Sequence, residues 1–128
     1  MLRTMLTGCC LILTACAMQP MSPTAACERT ISLYARYVDL GSPAAVADLF
    51  TENATWQLGK TRLKGREVIR ECFAALTNDA ARVSRHIQSN IVIDWDSETR
   101  ARGTVYLTLY RGAKGDESFA PLAGQLAE

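Results

Sequence analysis

Two long alternating segments joined by a tight turn constrain this chain more than any other feature. From Val83 to Trp95, the residues Val83, Ile87, Ile91, Ile93 and Trp95 fall on one face, and Ser84, His86, Gln88, Asn90, Val92 and Asp94 on the other. After Asp96-Ser97-Glu98 the alternation resumes, with Ala101, Gly103, Val105, Leu107 and Leu109 opposed to Arg102, Thr104, Tyr106, Thr108 and Tyr110. A period of two sustained over such lengths belongs to strands covered by a core on one side. The connection is too short for a parallel crossover, so the pair forms an antiparallel hairpin. Gly112 to Ser118 reads as a polar loop, and Pro121 to Glu128 as the beginning of a further strand.

What precedes the hairpin is largely helical. Between Pro23 and Leu40 the residues Cys27, Ile31, Tyr34, Ala35 and Val38 recur at helical spacing, and Gly41 suits the left-handed position that ends a helix. Ser42 and Pro43 predict the cap and first residue of a second helix, with Val46, Leu49 and Phe50 as its apolar stripe. Ala54 to Leu58 reads as a short strand, and Gly59 and Gly65 punctuate the segment that follows. A third helix over Arg66 to Leu76 is expected to bury Val68, Ile69, Cys72, Phe73 and Leu76. Helices followed by a long antiparallel sheet define the α+β class. A curved sheet wrapped on three such helices makes a cone with a pocket inside.

Composition removes several functions. The 128 residues give room for one domain. Fourteen Lys+Arg against thirteen Asp+Glu leave a formal charge of +1, which excludes an electrostatic nucleic-acid binder. Residues 48% hydrophobic argue against disorder, and the longest apolar run is too short and interrupted for a membrane span. The sequence has no glycine-rich phosphate loop, nucleophile elbow or spaced cluster of metal ligands, so no metal or cofactor is expected.

Residues 1–20 differ from the rest and have two readings. Arg3 precedes an apolar run from Met5 to Leu13, and Leu13-Thr14-Ala15-Cys16 resembles a bacterial lipobox, with Cys16 as the lipidated residue. On that reading the domain, 21–128, is a membrane-anchored periplasmic lipoprotein. On the other, Met21-Ser22-Pro23-Thr24 is an ordinary start, and the protein is cytoplasmic with no membrane partner. Cys27 and Cys72 fall on apolar helix positions and read as buried free thiols in either case.

Asp39 is the most informative residue. Ile31, Ala35 and Asp39 share one helix face, so the carboxylate lies on the buried side, in the last turn, where the helix dipole disfavours negative charge. Such an acid needs a partner; the bland alternative is a frayed helix end at which it reaches water. His86, the single histidine, shares a face with Gln88 and Asn90. That face is either solvent-exposed or the polar lining of a cavity, and alternation alone favours solvent. Thr104 and Tyr106 are expected to lie nearly opposite Asn90 and Gln88. A pocket bounded by Asp39, His86 and a tyrosine suits general acid–base chemistry, because an imidazole exchanges protons near neutrality and a carboxylate can hold its tautomer. Tyr34 and Trp56 read first as core residues, and otherwise as the wall of an apolar pocket in which the phenol polarises an oxygen.

These residues carry a resemblance. Residues 26–111 resemble the SnoaL-like branch of the nuclear transport factor 2-like superfamily. The match runs through Ala26-Cys27-Glu28-Arg29, Tyr34-Ala35-Arg36-Tyr37-Val38-Asp39, Ala47-Asp48-Leu49-Phe50-Thr51-Glu52-Asn53-Ala54, Leu63-Lys64-Gly65-Arg66-Glu67, and Ser84-Arg85-His86 leading to Asn90-Ile91-Val92-Ile93. The resemblance implies a cone with an apolar pocket and a homodimer formed through the sheet. Members include polyketide cyclases, ketosteroid isomerases and scytalone dehydratase. It implies an acid–base pair at Asp39 and His86 and a pocket-lining role for Asn90. The second catalytic histidine of the dehydratases has no counterpart here. Relatives also continue beyond the strand begun at Gly124-Gln125-Leu126-Ala127-Glu128, so the last strands of the cone are expected to be lacking. The expected function is a cofactor-independent lyase or isomerase acting on a small hydrophobic oxygenated ring. In that reading Asp39 and His86 do the acid–base work, Tyr34 or Tyr106 polarises an oxygen, and Trp56 packs on the ring. The alternative is a non-catalytic ligand-binding or protein-interaction module of the same fold.

Overall fold

Ser22 starts the first helix, α1 (Pro23–Asp39), its hydroxyl accepting the amide of Ala25 at 3.2 Å, with Pro23 in the first turn, where no amide is missed. Its end is equally well specified. Gly41 takes φ +67°, its amide reaches the Val38 carbonyl at 3.3 Å, and the Ser42 amide reaches Tyr37 at 2.9 Å. This Schellman closure stops the helix at Asp39. A computed structural model describes residues 20–77 and 81–115, and the backbone of 120–127. Cys16 and the leader expected around it lie outside the described residues, as does Glu128.

The second helix, α2 (Pro43–Ala47), is shorter than its apolar stripe suggests. The chain tightens after Ala47, with Leu49 bonding back to Val46 and Phe50 to Ala47, three residues apart. Ser42 precedes this helix but its side chain makes no capping bond, contrary to expectation; its amide is committed to closing α1. Two short strands, β1 (Thr55–Leu58) and β2 (Thr61–Lys64), pair antiparallel through a turn at Gly59, whose φ is +56°. Only the first of them is readable from alternation. The third helix, α3 (Arg66–Thr77), buries Ile69 and Phe73, but Val68 and Leu76 are exposed and Cys72 only half-buried. The stripe facing the core is thus narrower than its apolar content. Val46, Ile69 and Phe73 form the core, with Tyr34, Val38, Phe50 and Trp56 packed around them.

The long strands β3 (Arg82–Ser97) and β4 (Arg100–Ala113) form the expected hairpin, and β5 (Ala120–Ala127) adds to β4, giving the order β3-β4-β5 with every pair antiparallel. The turn lies at Glu98 and Thr99, slightly beyond the expected position. Helices followed by a predominantly antiparallel sheet bear out the α+β reading.

The alternation of β3, however, is not continuous. Ser89 pairs with Tyr106 and Val92 with Thr104, so Asn90 and Ile91 together oppose Val105 alone. Two residues against one define a β-bulge, and Asn90 supplies the left-handed backbone it needs, at φ +53°. The bulge exchanges the faces of the strand. Before it, Ser84, His86 and Gln88 turn inward and Ile87 is 54% exposed; after it, Ile91 and Ile93 turn inward and Val92 is exposed. The polar row that alternation assigned to solvent is therefore the inner face, laid against α1.

Candidate active site

Asp39 is the last residue of α1 and its side chain is only 12% exposed. A carboxylate at a helix C-terminus, withdrawn from water, is stable only if donors replace the water. Strand β3 supplies them. Oδ1 of Asp39 lies 2.6 Å from Nδ1 of His86 and accepts the Ser84 hydroxyl at 3.1 Å, while Oδ2 accepts the backbone N–H of His86 at 2.8 Å. The alternative of a frayed, hydrated Asp39 does not hold.

The arrangement selects one form of the imidazole. A carboxylate can only accept, so in the neutral ring the proton belongs on Nδ1 and the lone pair on Nε2. The His86 side chain is 9% exposed. Its ring is held by the Nδ1 bond and its backbone by the amide bond to the same carboxylate. Such a dyad presents a fixed base to whatever lies beyond Nε2.

A hollow of about 610 Å³ lies between α1, β1 and the inner face of β3 and β4. This is within the size range of small-molecule sites. Tyr34, Trp56, Gln88, Gly103, Val105 and Leu107 are among its walls, most of them apolar. Tyr34 and Trp56 belong to both readings at once. They pack on the core, Tyr34 edge-on to Phe50 and Phe73 at 6.2 and 6.0 Å and Trp56 edge-on to Phe73 at 5.6 Å, and they also face the hollow. The indole N–H of Trp56 donates to the Tyr34 hydroxyl at 3.0 Å, which leaves the phenolic proton for another acceptor. Burial pushes the Tyr34 pKa above the usual phenol value; the Trp56 hydrogen bond opposes this, and the nearby Cys72 adds to it. The phenol is thereby kept as a donor.

His86 stands two residues from Gln88 on the same inner face; Gln88 is part of the wall of the hollow and His86 is not. Asp39 and Ser84 border a second, smaller hollow of about 270 Å³ at the corner between α1 and α2. Asn90 does not line the larger hollow: it is exposed and forms the bulge. Tyr106 is 55% exposed on the outer face, because it pairs with Ser89, not with Gln88 as expected; Gln88 pairs with Leu107. The phenol offered to the hollow is therefore that of Tyr34. Cys27 lies in the wall of the hollow as a half-buried free thiol.

Three contributors had no role assigned from the sequence. Ser84 joins the dyad through its hydroxyl. Gln88 bonds the Ile31 carbonyl of α1 at 3.2 Å. At Gly103 an added Cβ would meet Ile93 Cδ1 at 2.9 Å, so the glycine lets the hydrophobic wall close up. The signal that could have found the first two was Asn90, a residue tolerant of positive φ inside a strand pattern, which marks a bulge and reverses the faces. Among the described residues no three His, Cys, Asp or Glu side chains gather as a metal-binding group, and no helix is long and apolar enough to cross a membrane.

A model of the SnoaL-like domain matches residues 20–127. No curated protein shows significant similarity to the sequence. Among solved structures, a scytalone dehydratase-like protein from Novosphingobium aromaticivorans is similar with a TM-score of 0.65 and 23% identity, over 80% of this chain and 76% of its own. ActVI-ORFA from Streptomyces coelicolor is similar with a TM-score of 0.70 and 16% identity, over 80% and 79% of the two chains. A protein from Catenulispora acidiphila, in complex with S-DNPA, has a TM-score of 0.66 and 18% identity, over 79% and 74%. At these identities the likeness is one of fold.

Proposed function

The chain belongs to the SnoaL-like domain family, and from that premise we propose that it is a cofactor-independent lyase or isomerase acting on a small, hydrophobic, oxygenated ring compound. The observation that carries this reading is the buried Asp39–His86 contact of 2.6 Å on the face of β3 that also gives Gln88 to a mostly apolar hollow of about 610 Å³. His86 Nε2 takes a proton from a carbon next to a carbonyl. The electron pair moves onto the carbonyl oxygen, where the Tyr34 hydroxyl donates a hydrogen bond. Asp39 faces the imidazolium that forms and needs no reorganisation to do so. The enolate then either expels a β-hydroxyl, which leaves as water with the proton from His86, or, where a neighbouring double bond extends it into a dienolate, takes that proton back at the γ-carbon. The first outcome is a lyase and the second an isomerase. Trp56 offers its face to the ring. The small ligand held by the Catenulispora acidiphila neighbour supports a small-molecule site, as does the near-neutral charge of the chain.

A second copy of the chain is proposed to cover the outer face of the sheet, where Ile87, Val92 and Tyr106 are exposed.

Proton abstraction is common to both outcomes, so exchange at the α-carbon tests them together. In D2O, the protein is expected to accelerate deuterium uptake by 2-decalone, followed by NMR, and Asp39→Asn and His86→Gln to lower that rate by about 10²-fold or more. Exchange no faster than in buffer, or undiminished in both variants, would leave the non-catalytic binding module as the reading of this hollow.

A further inference from the structure

Gln88 is the polar residue of β3 that borders the hollow directly, and its amide has a settled orientation. The group it meets is the carbonyl of Ile31, 3.2 Å away, which can only accept. The amide nitrogen must therefore face α1, and the carbonyl oxygen Oε1 is the arm left over. Oε1 takes no hydrogen bond among the described residues and is not sealed from solvent. Leu107 lies opposite Gln88 in register, and Val105 and Ile93 also belong to the wall.

We infer that Gln88 is a specificity-determining residue: its Oε1 selects ligands that carry a hydroxyl about the length of two fused rings from the carbon on which His86 acts. The inference rests on the proposed reading of the hollow as a ligand site and adds the substrate class. Gln88 and His86 are two residues apart on one face, about 7 Å along a strand, which is roughly the length of a fused two-ring system. A ligand hydroxyl that donates to Oε1 thus fixes the ring while its far end reaches the imidazole. A ligand without that donor leaves Oε1 dry and unpaired, and the loss falls on recognition. Tyr34 supplies the complementary donor, so the wall reads a hydroxyl and a carbonyl as different groups at different places.

Isothermal titration of the full chain with 2-naphthol and with 2-methoxynaphthalene, which has the same rings but no hydroxyl proton, tests this. The wild-type protein is expected to prefer 2-naphthol by about tenfold. In Gln88→Leu the preference is expected to fall below about twofold, with affinity for 2-methoxynaphthalene held within about threefold. Gln88→Met serves as a second variant of similar length, and thermal unfolding checks that each is folded. The Ile31 carbonyl keeps its helical partner in either case. Equal affinities in the wild type, a preference that survives both substitutions, or binding of neither probe would overturn the inference. A lost preference in these variants with no catalysed exchange on 2-decalone would instead uphold Gln88 and remove the acid–base chemistry.

Discussion

Asp39 illustrates how one residue placed against local preference organises a site. Helix propensity and the macrodipole both disfavour a carboxylate at the end of α1, and its burial adds a further cost. Donors from Ser84 and from both the ring and the backbone of His86 offset these terms. The sequence exposed the conflict, through the i, i+4, i+8 spacing of Ile31, Ala35 and Asp39, but not its resolution, because the donors come from a strand more than forty residues away. Tyr34 is the second residue set by its surroundings. Its pKa is raised, so the folded state holds the phenolic proton more tightly than the unfolded chain does. That contribution to stability is complete below the unfolded value near 10 and is lost as pH rises through the folded value. Absorbance titration at 295 nm is therefore expected to show one of the four tyrosines ionising late, and Tyr34→Phe to remove that late component. Its persistence in the variant would assign it elsewhere.

At the scale of elements, the helices were legible and the long strand only half so. The first helix is bounded by Ser22 and Gly41, both local signals, and these locate its ends to within a residue. The third was placed equally well, yet Val68 and Leu76 proved exposed, since apolar spacing alone does not say how wide a stripe the neighbours can cover. In β3 the alternation implies an unbroken strand, and the bulge at Asn90 turns half of it to the opposite face. The physical reason is parity: one extra residue transfers every side chain on one side of it to the opposite face. The site residues Ser84, His86 and Gln88 all lie on the transferred half. The helix end, by contrast, makes a firm prediction. Gly41 sits at φ +67° with its nearest side-chain neighbour, Thr77 Cγ2, at 3.5 Å from where a Cβ would be. Gly41→Ala thus meets a conformational cost and no clash, and is expected to lower stability by about 1–2 kcal/mol in urea unfolding. A neutral result would mean that the closure after Asp39 can be made without a left-handed residue.

For the whole molecule, two faces of one sheet are put to different uses. The inner face of β3 and β4 carries Ser84, His86, Gln88 and apolar wall residues, and α1 lies against it, bringing Asp39 to His86. The outer face carries Ile87, Val92 and Tyr106, each about half exposed. If a second copy covers that face, Ile87→Lys together with Tyr106→Lys shifts sedimentation from dimer to monomer while the far-ultraviolet circular dichroism is retained. A wild-type monomer at micromolar concentration would refute the pairing and leave the inner face unaffected. The overall class followed from the order of patterns along the chain. The hollow's size and the convergence of α1 with β3 did not, because both depend on contacts between distant segments.

Asp39 holds the neutral ring of His86 with its proton on Nδ1 and its basic lone pair on Nε2. Because the sequence contains a single histidine, long-range ¹H–¹⁵N correlation of the side chain in untagged protein reports on that ring alone. At a pH where the ring is neutral, the Nδ1–H tautomer is expected in the wild type and its loss in Asp39→Asn. An Nε2–H tautomer in the wild type, or an identical spectrum in the variant, would contradict it.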